Sequence, residues 1–467
     1  MNGKIASLGV QACVQGMQYS MWKNHSFDLG EKNDPLVRSI DIGLFKGKYY
    51  CSVSPGFAFL SLPFAATGFI MDGGDFKLIG YSMIMGELSL AIFASLASMF
   101  VYKICRLFAQ RTTSLLASIT FAFATTVWPM SAIIYINNAS VPFSIAAVYL
   151  VMRLSMRRED KGTGHPVMAG LSLGLASFVE YMTIVFVPIL ATYLFFKTGS
   201  KRNLLFFLLA SSVGPGMHFI YNYSVFEDPF MFPEKVKPAH TSLGKQMKVE
   251  SWNQEQRPGF RLEGLGLHAL AYLISPLRGL ILFSPILILG MYQLYRMVRS
   301  NRYRSDAILF ISLFLAILLP YSAWHDWVGG PGYGPRFLIS TVPYFVIPIA
   351  ILLSENRSTI LRGVFLPLFC ISSFIQGVGA LTNAWSLGRH SLLVYQPYDF
   401  NIPWLLEGKL NVWWLTTFGI KHIEVTQSFI QLFATVVFLS LWAIAAYFTI
   451  KNIHESKTTS SLAEVDD

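Results

Sequence analysis

Long apolar runs separated by short basic clusters dictate most of what this chain can be. Residues 79–102, 113–134, 204–223, 280–298, 308–323, 338–353, 363–381 and 428–450 each come near the length that crosses a bilayer as a helix, about 20 apolar residues. A shorter run, 141–152, lies among them. Only 13% of the 467 residues are charged, against roughly 25% in soluble domains. The sequence therefore predicts an all-α, polytopic transmembrane helical bundle of about ten spans.

The formal net charge is +10, but the basic residues form no single patch. Lys103, Arg106 and Arg111 form one group; Arg153, Arg157, Arg158 and Lys161 another. Lys197, Lys201 and Arg202 follow, then Arg296, Arg299, Arg302 and Arg304, and finally Arg357 and Arg362. Each group ends an apolar run. That is the positive-inside pattern, not a nucleic-acid footprint. One orientation satisfies every group. It puts residues 1–54, 225–267, 324–337 and 383–425 on the outer face, and the polar tail 451–467 inside. The bundle proper is 55–450. Residues 55–71 must then begin and end outside, so they read as a helix lying in the interface. Residues 167–196 have basic groups at both ends, so they must go in and come back, as two short helices meeting near Glu180.

The first 54 residues hold no spanning run and no signal-peptide pattern. Placing them outside implies a leading transmembrane helix ahead of Met1. Of four cysteines, Cys105 and Cys370 lie in or beside apolar helices. Cys13 and Cys51 could pair in an oxidising compartment, though their spacing matches no motif. No zinc or haem spacing appears.

One outer segment stands out, W-H-D-W-V-G-G-P-G-Y-G-P-R-F at 324–337. Its glycines permit positive φ and close approach. Pro335 suits a helix start, which would place Arg336 in the first turn of the next helix, a good arrangement for a phosphate. The alternative is an ordinary loop with aromatic interface anchors, Trp324, Trp327 and Tyr333. Arg278, in I-S-P-L-R-G-L, sits at a similar break. It and Arg336 read either as phosphate ligands or as side chains snorkelling to headgroups. Glu180 is an acid within an apolar block, where carboxylates are expensive and mark function or a buried pair. Asp41 reads as a general base or as one loop acid among several. His325 and Asp326 are sequence neighbours that could relay a proton or hold a metal. Asn137 and Asn138 read as capping or turn residues. Large outer loops without an internal repeat favour an enzyme over a secondary transporter.

Four stretches resemble the GT-C superfamily of membrane glycosyltransferases, the group of protein O-mannosyltransferases and the bacterial aminoarabinose transferase. They are G-K-Y-Y-C-S-V-S-P-G-F-A-F-L-S-L-P-F, G-L-S-L-G-L-A-S-F-V-E-Y, S-P-L-R-G-L-I-L-F-S-P and W-H-D-W-V-G-G-P-G-Y-G-P-R-F-L. The likeness is to poorly characterised prokaryotic members and runs with gaps over residues 1–350. It implies a transferase that moves a sugar from a polyprenyl-phosphate donor to a lipid, glycan or protein acceptor, with inversion. Relatives often carry Asp-Glu where this chain has Asn2-Gly3, so the resemblance points to Asp41 as the base. Arg336 and Arg278 would neutralise the departing phosphate, and Glu180, Tyr333, His325 and Asp326 would line the substrate site. No cofactor is called for; a divalent metal stays open. A multi-pass protein of a prokaryotic inner membrane is implied, with membrane lipid as a partner and no nucleic acid. The alternatives are a transporter or flippase of a lipid-linked substrate, with Glu180 as coupling residue, and a GT-C relative that has lost activity.

Overall fold

The computed structural model describes residues 9–31, 36–37, 39, 41–77, 80–156, 164–231, 233, 259–330, 332–355, 359–382, 395–407 and 435–451. Asn2-Gly3, Trp385, Trp413, Trp414 and the tail beyond 451 lie outside the described residues, as do most of the predicted loops 225–267 and 383–425. The described chain is a bundle of α-helices with one small β-hairpin. Six helical stretches are long and apolar enough to cross a membrane: Tyr81–Cys105, Ile136–Met156, Tyr181–Thr198, Lys201–Phe226, Arg304–Ala323 and Gly363–Leu381. Five apolar helices are shorter: Gly56–Met71, Gly164–Val179, Leu265–Ile274, Pro343–Glu355 and Thr435–Lys451.

The N-terminal segment is more ordered than its sequence suggests. Helix α1 (Val10–Asn24) packs its Gln11, Gln15 and Gln18 face inward, and Gln18 donates to Ser61 Oγ at 2.7 Å. Strands β1 (Ile42–Phe45) and β2 (Lys48–Cys51) pair antiparallel. The two turn residues, Lys46 and Gly47, both have positive φ, as a two-residue hairpin of matching twist requires. A Cys13–Cys51 disulfide fastens α1 to β2, as their pairing in the sequence reading allowed. The strands, I-G-L-F and K-Y-Y-C, are too short to carry a clean alternation in the sequence; tertiary contacts and the disulfide hold the hairpin.

Helix α2 (Gly56–Met71) starts against the end of α7 (Gly164–Val179). Ser54 Oγ donates to the Phe178 carbonyl at 2.6 Å. A Cβ on Gly56 would collide with that same carbonyl, so only glycine allows this approach. Beyond Val179 the helix breaks. Glu180 is extended (φ −143°, ψ 114°) and a 3₁₀ turn, Tyr181–Val185, leads into α8 (Phe186–Thr198). The two short helices thus meet at the buried acid. Small residues let α7 lie close to α9 (Lys201–Ser211) and α10 (Val213–Phe226): a Cβ on Gly214 would strike the Gly174 carbonyl, the close approach common between membrane helices.

Two predicted single spans are broken. Residues 113–134 form α4 (Arg111–Phe123) and the short α5 (Val127–Ser131). Residues 280–298 form α12 (Leu280–Phe283) and α13 (Leu287–Arg299), after α11 (Leu265–Ile274). Ser284-Pro285 opens the backbone between α12 and α13. Helix α16 (Thr359–Leu381) closes it again: Gln376 Nε2 donates to the Phe283 carbonyl at 2.6 Å, and Ser372 Oγ accepts from the Ile286 amide at 2.9 Å. Freed backbone groups at membrane depth need such partners.

The 324–337 loop lies between α14 (Arg304–Ala323) and a 3₁₀ segment, Arg336–Thr341; α15 starts only at Pro343 and ends at Glu355. Arg336 therefore sits on a 3₁₀ turn rather than in the first turn of an α-helix. Pro335 has ψ 57°, outside the helical range, so the chain must turn once more before α15. Gly329, Gly330 and Gly334 have φ of 71°, 67° and 59°. These left-handed residues help turn the loop carbonyls toward Arg278, which is only 1% exposed. Arg278 donates through Nε to Val328 O at 2.7 Å, through Nη1 to Gly332 O at 2.5 Å and Gly334 O at 3.2 Å, and through Nη2 to Gly330 O. Gln396 Oε1 accepts from Arg278 Nη1 at 3.1 Å and from the Gly334 amide at 2.9 Å.

Two outcomes follow. A Cys13→Ser variant loses the closure of the loop between residues 13 and 51 and should be less stable by about 4 kcal/mol on a chain-entropy estimate. A lower melting temperature in detergent, reproduced by reductant on the wild type, checks this. Arg278→Lys keeps a charge but not the fork of donors. Each carbonyl left unsatisfied costs about 1–3 kcal/mol, so the melting temperature should fall clearly, with the 324–337 segment becoming sensitive to protease.

Candidate functional site

The hairpin, the 275–279 turn and the 324–337 loop converge at one end of the bundle. Phe260, Arg261 and Tyr395 join them. Phe260 bridges to Trp324, and Arg261 N donates to Ala323 O at 2.6 Å. Tyr395 OH donates to Leu282 O at 2.8 Å.

Asp41 precedes β1. Its carbonyl accepts from Ser52 N at 2.9 Å and its amide donates to Ser39 Oγ at 3.0 Å. Ser39 Oγ in turn donates to Gly9 O at 2.8 Å. The backbone is thus fixed, and the carboxyl lies within electrostatic reach of Arg336 and Asp326. Burial raises its pKa from the ordinary carboxylate value to about 6. The Arg336 charge opposes that rise and the Asp326 charge adds to it. Asp41, Arg336 and Asp326 are therefore near enough to feel one another.

Arg336 is 7% exposed. Its guanidinium carbon lies 4.7 Å from the Tyr135 ring centroid and 5.2 Å from that of Phe337. Its stem runs over Gly332, where a Cβ would come within 2.5 Å of Arg336 Cδ. The two aromatic rings favour a cation between them. Arg278 lies close by, and burial followed by the Arg336 charge lowers its pKa to about 9. It is still a cation at neutral pH. Its donors are directed at the loop carbonyls, which makes it the loop's holder and not a side chain snorkelling to headgroups.

Tyr333 is fully buried. Its hydroxyl donates to Ile375 O at 2.6 Å, and its ring stacks edge-on to Phe283 at 5.1 Å. That hydroxyl and ring are taken up in anchoring the loop to α16. Asp326 is exposed, and its Oδ1 accepts from the Gly329 amide at 3.2 Å. His325 accepts at Nδ1 from Gly259 N at 3.4 Å. Burial lowers its pKa, opposed by the Asp326 charge and helped by that of Arg261. Among the described residues no three His, Cys, Asp or Glu gather to hold a metal ion.

Glu180 is buried at 5% exposure and accepts from both Asn137 Nδ2 and Tyr321 OH. Asn137 Nδ2 also donates to the Tyr321 hydroxyl oxygen at 3.0 Å. Asn137 is thus a partner of the acid, not a cap; Asn138 donates to Ser131 Oγ at 3.1 Å. Tyr135, Tyr321 and Gln396 were not singled out in the sequence. A tyrosine or glutamine at the edge of an apolar run is the usual interface residue, and only the long-range pairing distinguishes these three. Tyr272, whose hydroxyl donates to Trp327 O, and His268, stacked on Trp327 at 4.5 Å, complete the rim.

A family model described as dolichyl-phosphate-mannose-protein mannosyltransferase matches residues 69–213. No curated protein matches the chain. Among solved structures, the chain is similar to ArnT from Cupriavidus metallidurans in the apo state. The identity is 10% and the TM-score 0.50, over 95% of this chain and 72% of that one. The same protein bound to undecaprenyl phosphate gives 11% identity and a TM-score of 0.48, over 97% and 74%. The oligosaccharyltransferase of Archaeoglobus fulgidus, tethered to an acceptor peptide, gives 13% and 0.44, over 85% of this chain and 49% of that one. The apo ArnT likeness shows that the chain shares the fold of that membrane protein, and the family model matches residues 69–213 of this chain.

Proposed function

We propose that this protein transfers a sugar from a polyprenyl-phosphate donor to an acceptor hydroxyl or amine at the end of the bundle where Asp41 and Arg336 meet. The observation that carries the reading is their pairing: a carboxyl with a pKa of about 6 beside a nearly buried cation. The family model's description, with dolichyl-phosphate-mannose as donor, supports the donor class. Integral, multi-pass membrane placement fits such a lipid donor; we take the membrane to be a prokaryotic inner membrane.

The step balances simply. Asp41 takes the acceptor proton as the acceptor atom bonds to the anomeric carbon from the face opposite the phosphate. The sugar–phosphate C–O bond breaks, and the configuration inverts. The prenyl phosphate leaves with an added negative charge; Arg336 holds the phosphate already in the bound donor and stays with it as it departs. Arg278 holds the loop that presents Arg336. Asp326 keeps the Asp41 pKa from falling, which matches a base to neutral pH. Aromatic residues of the rim, Trp324 and Trp327 among them, offer faces for a sugar. The transporter reading needs Glu180 on a path open to both faces; its engagement by Asn137 and Tyr321 in a buried network supports the enzyme instead.

Asp41→Asn should lower kcat by about 10²–10⁴, the usual contribution of a positioned base, in an assay of transfer from a prenyl-phosphate sugar. A base must be unprotonated, so wild-type kcat/KM should rise with pH through about 6 and level above it; the asparagine variant should lack that limb. Turnover near wild type in Asp41→Asn removes the residue from the role. Arg336→Ala removes a charge-assisted contact worth about 1.5–3 kcal/mol. It should raise the donor KM at least tenfold and leave the acceptor KM unchanged. An unaltered donor dependence would defeat the phosphate assignment.

A further inference from the structure

Glu180 lies outside the reacting groups, yet two chains of contact run from it to Arg336. The first goes through Tyr321. Its hydroxyl donates to Glu180 Oε1, and its ring stacks on Phe337 with centroids 4.5 Å apart and planes 5° from parallel. Phe337 is one of the two aromatic faces beside the Arg336 guanidinium. The second goes through Asn137. Its amide donates to the same Glu180 oxygen, and it stands two residues after Tyr135, the other aromatic face. Both walls of the arginine slot are thus tied to one carboxylate oxygen. That oxygen belongs to the extended residue where α7 stops, and Ser54 and Gly56 seat α2 on the residues just before it.

We propose that Glu180 is a positioning residue that fixes the orientation of the Arg336 guanidinium by holding Tyr321 and Asn137. A guanidinium edge recognises phosphate only within a narrow range of angles. Tyr321 sets the tilt of Phe337, and Asn137 sets the height of Tyr135. Loosening either wall lets Arg336 swing while its charge stays in place. The phosphate of the donor is then held less well, although the base and the acceptor are untouched. This rests on Arg336 being the phosphate ligand.

The test uses the full chain in detergent, with two variants, Glu180→Gln and Tyr321→Phe, and Arg336→Ala as reference. A short prenyl phosphate is titrated while tryptophan fluorescence is followed, and transfer kinetics are measured in parallel. Loss of a hydrogen bond to a charged group corresponds to about a tenfold change, so Kd for the prenyl phosphate and donor KM should both rise by about that factor in each variant. Acceptor KM should not move, and kcat at saturating donor should fall far less than donor KM rises. The double variant should be no worse than the worse single one, because both cut the same relay. Tyr321→Phe keeps the ring and decides the matter if Glu180→Gln does not fold. A fall in kcat with donor KM and Kd unchanged, or no change in any of them, overturns the relay. If Arg336→Ala leaves prenyl-phosphate binding intact, the phosphate reading and the relay fall together; if it weakens binding while Tyr321→Phe does not, the relay alone fails.

Discussion

The site depends on one buried cation satisfied by a loop. Arg278 is almost fully enclosed, and its donors meet the carbonyls of Val328, Gly330, Gly332 and Gly334. Taking an arginine out of water costs several kcal/mol unless nearly every donor is met. The loop meets them only because three of its glycines have left-handed backbones. The glycine-rich sequence and the buried arginine therefore explain each other. Neither is stable in this form without the other, and Arg336, two residues past the last of these carbonyls, inherits its place from both.

Charge within the site is shared unevenly. Asp41 and Asp326 stand near Arg336, while Glu180 lies behind it among hydroxyl and amide donors. An acid that faces both burial and another acid keeps its proton to a higher pH. The same functional group thus stands beside charges on one side of the arginine and among neutral donors on the other.

Much of the architecture was legible because membranes impose simple rules. Apolar runs gave most of the helices, and the lone acid between two basic groups marked the break at Glu180. Asp41, Arg336 and Asp326 could each be picked out singly as polar groups at breaks, and the structure gathers them. The rest was not local. Helix α1 mixes glutamines with apolar residues and the hairpin strands are four residues each, so neither stands out in the sequence; the Cys13–Cys51 bond and the floor of α2 hold them. The breaks at Ala124 and at Ser284-Pro285 fall inside runs that look continuous, since Gln376 and Ser372 repair the second from some ninety residues away. The use of Arg278 could not be read from I-S-P-L-R-G-L, because its partners are carbonyls, which sequence does not distinguish. Tyr135 and Tyr321 matter through where their rings lie against Arg336 and Phe337.

The Cys13–Cys51 bond turns the chain between those residues into a covalent ring, and Asp41 lies inside it while Arg336 lies outside. Fraying of a few loop residues cannot carry the acid away. The ring has to tilt as a whole, about the short stretch from Ser52 to Gly56. That stretch is wedged on the Phe178 carbonyl, with no room for even one added carbon. The distance between Asp41 and Arg336 therefore depends on a hinge with a hard stop. Motion of the N-terminal unit relative to the bundle is limited at that contact, with Gln18 on Ser61 and Phe45 and Tyr50 on Phe226 as further ties.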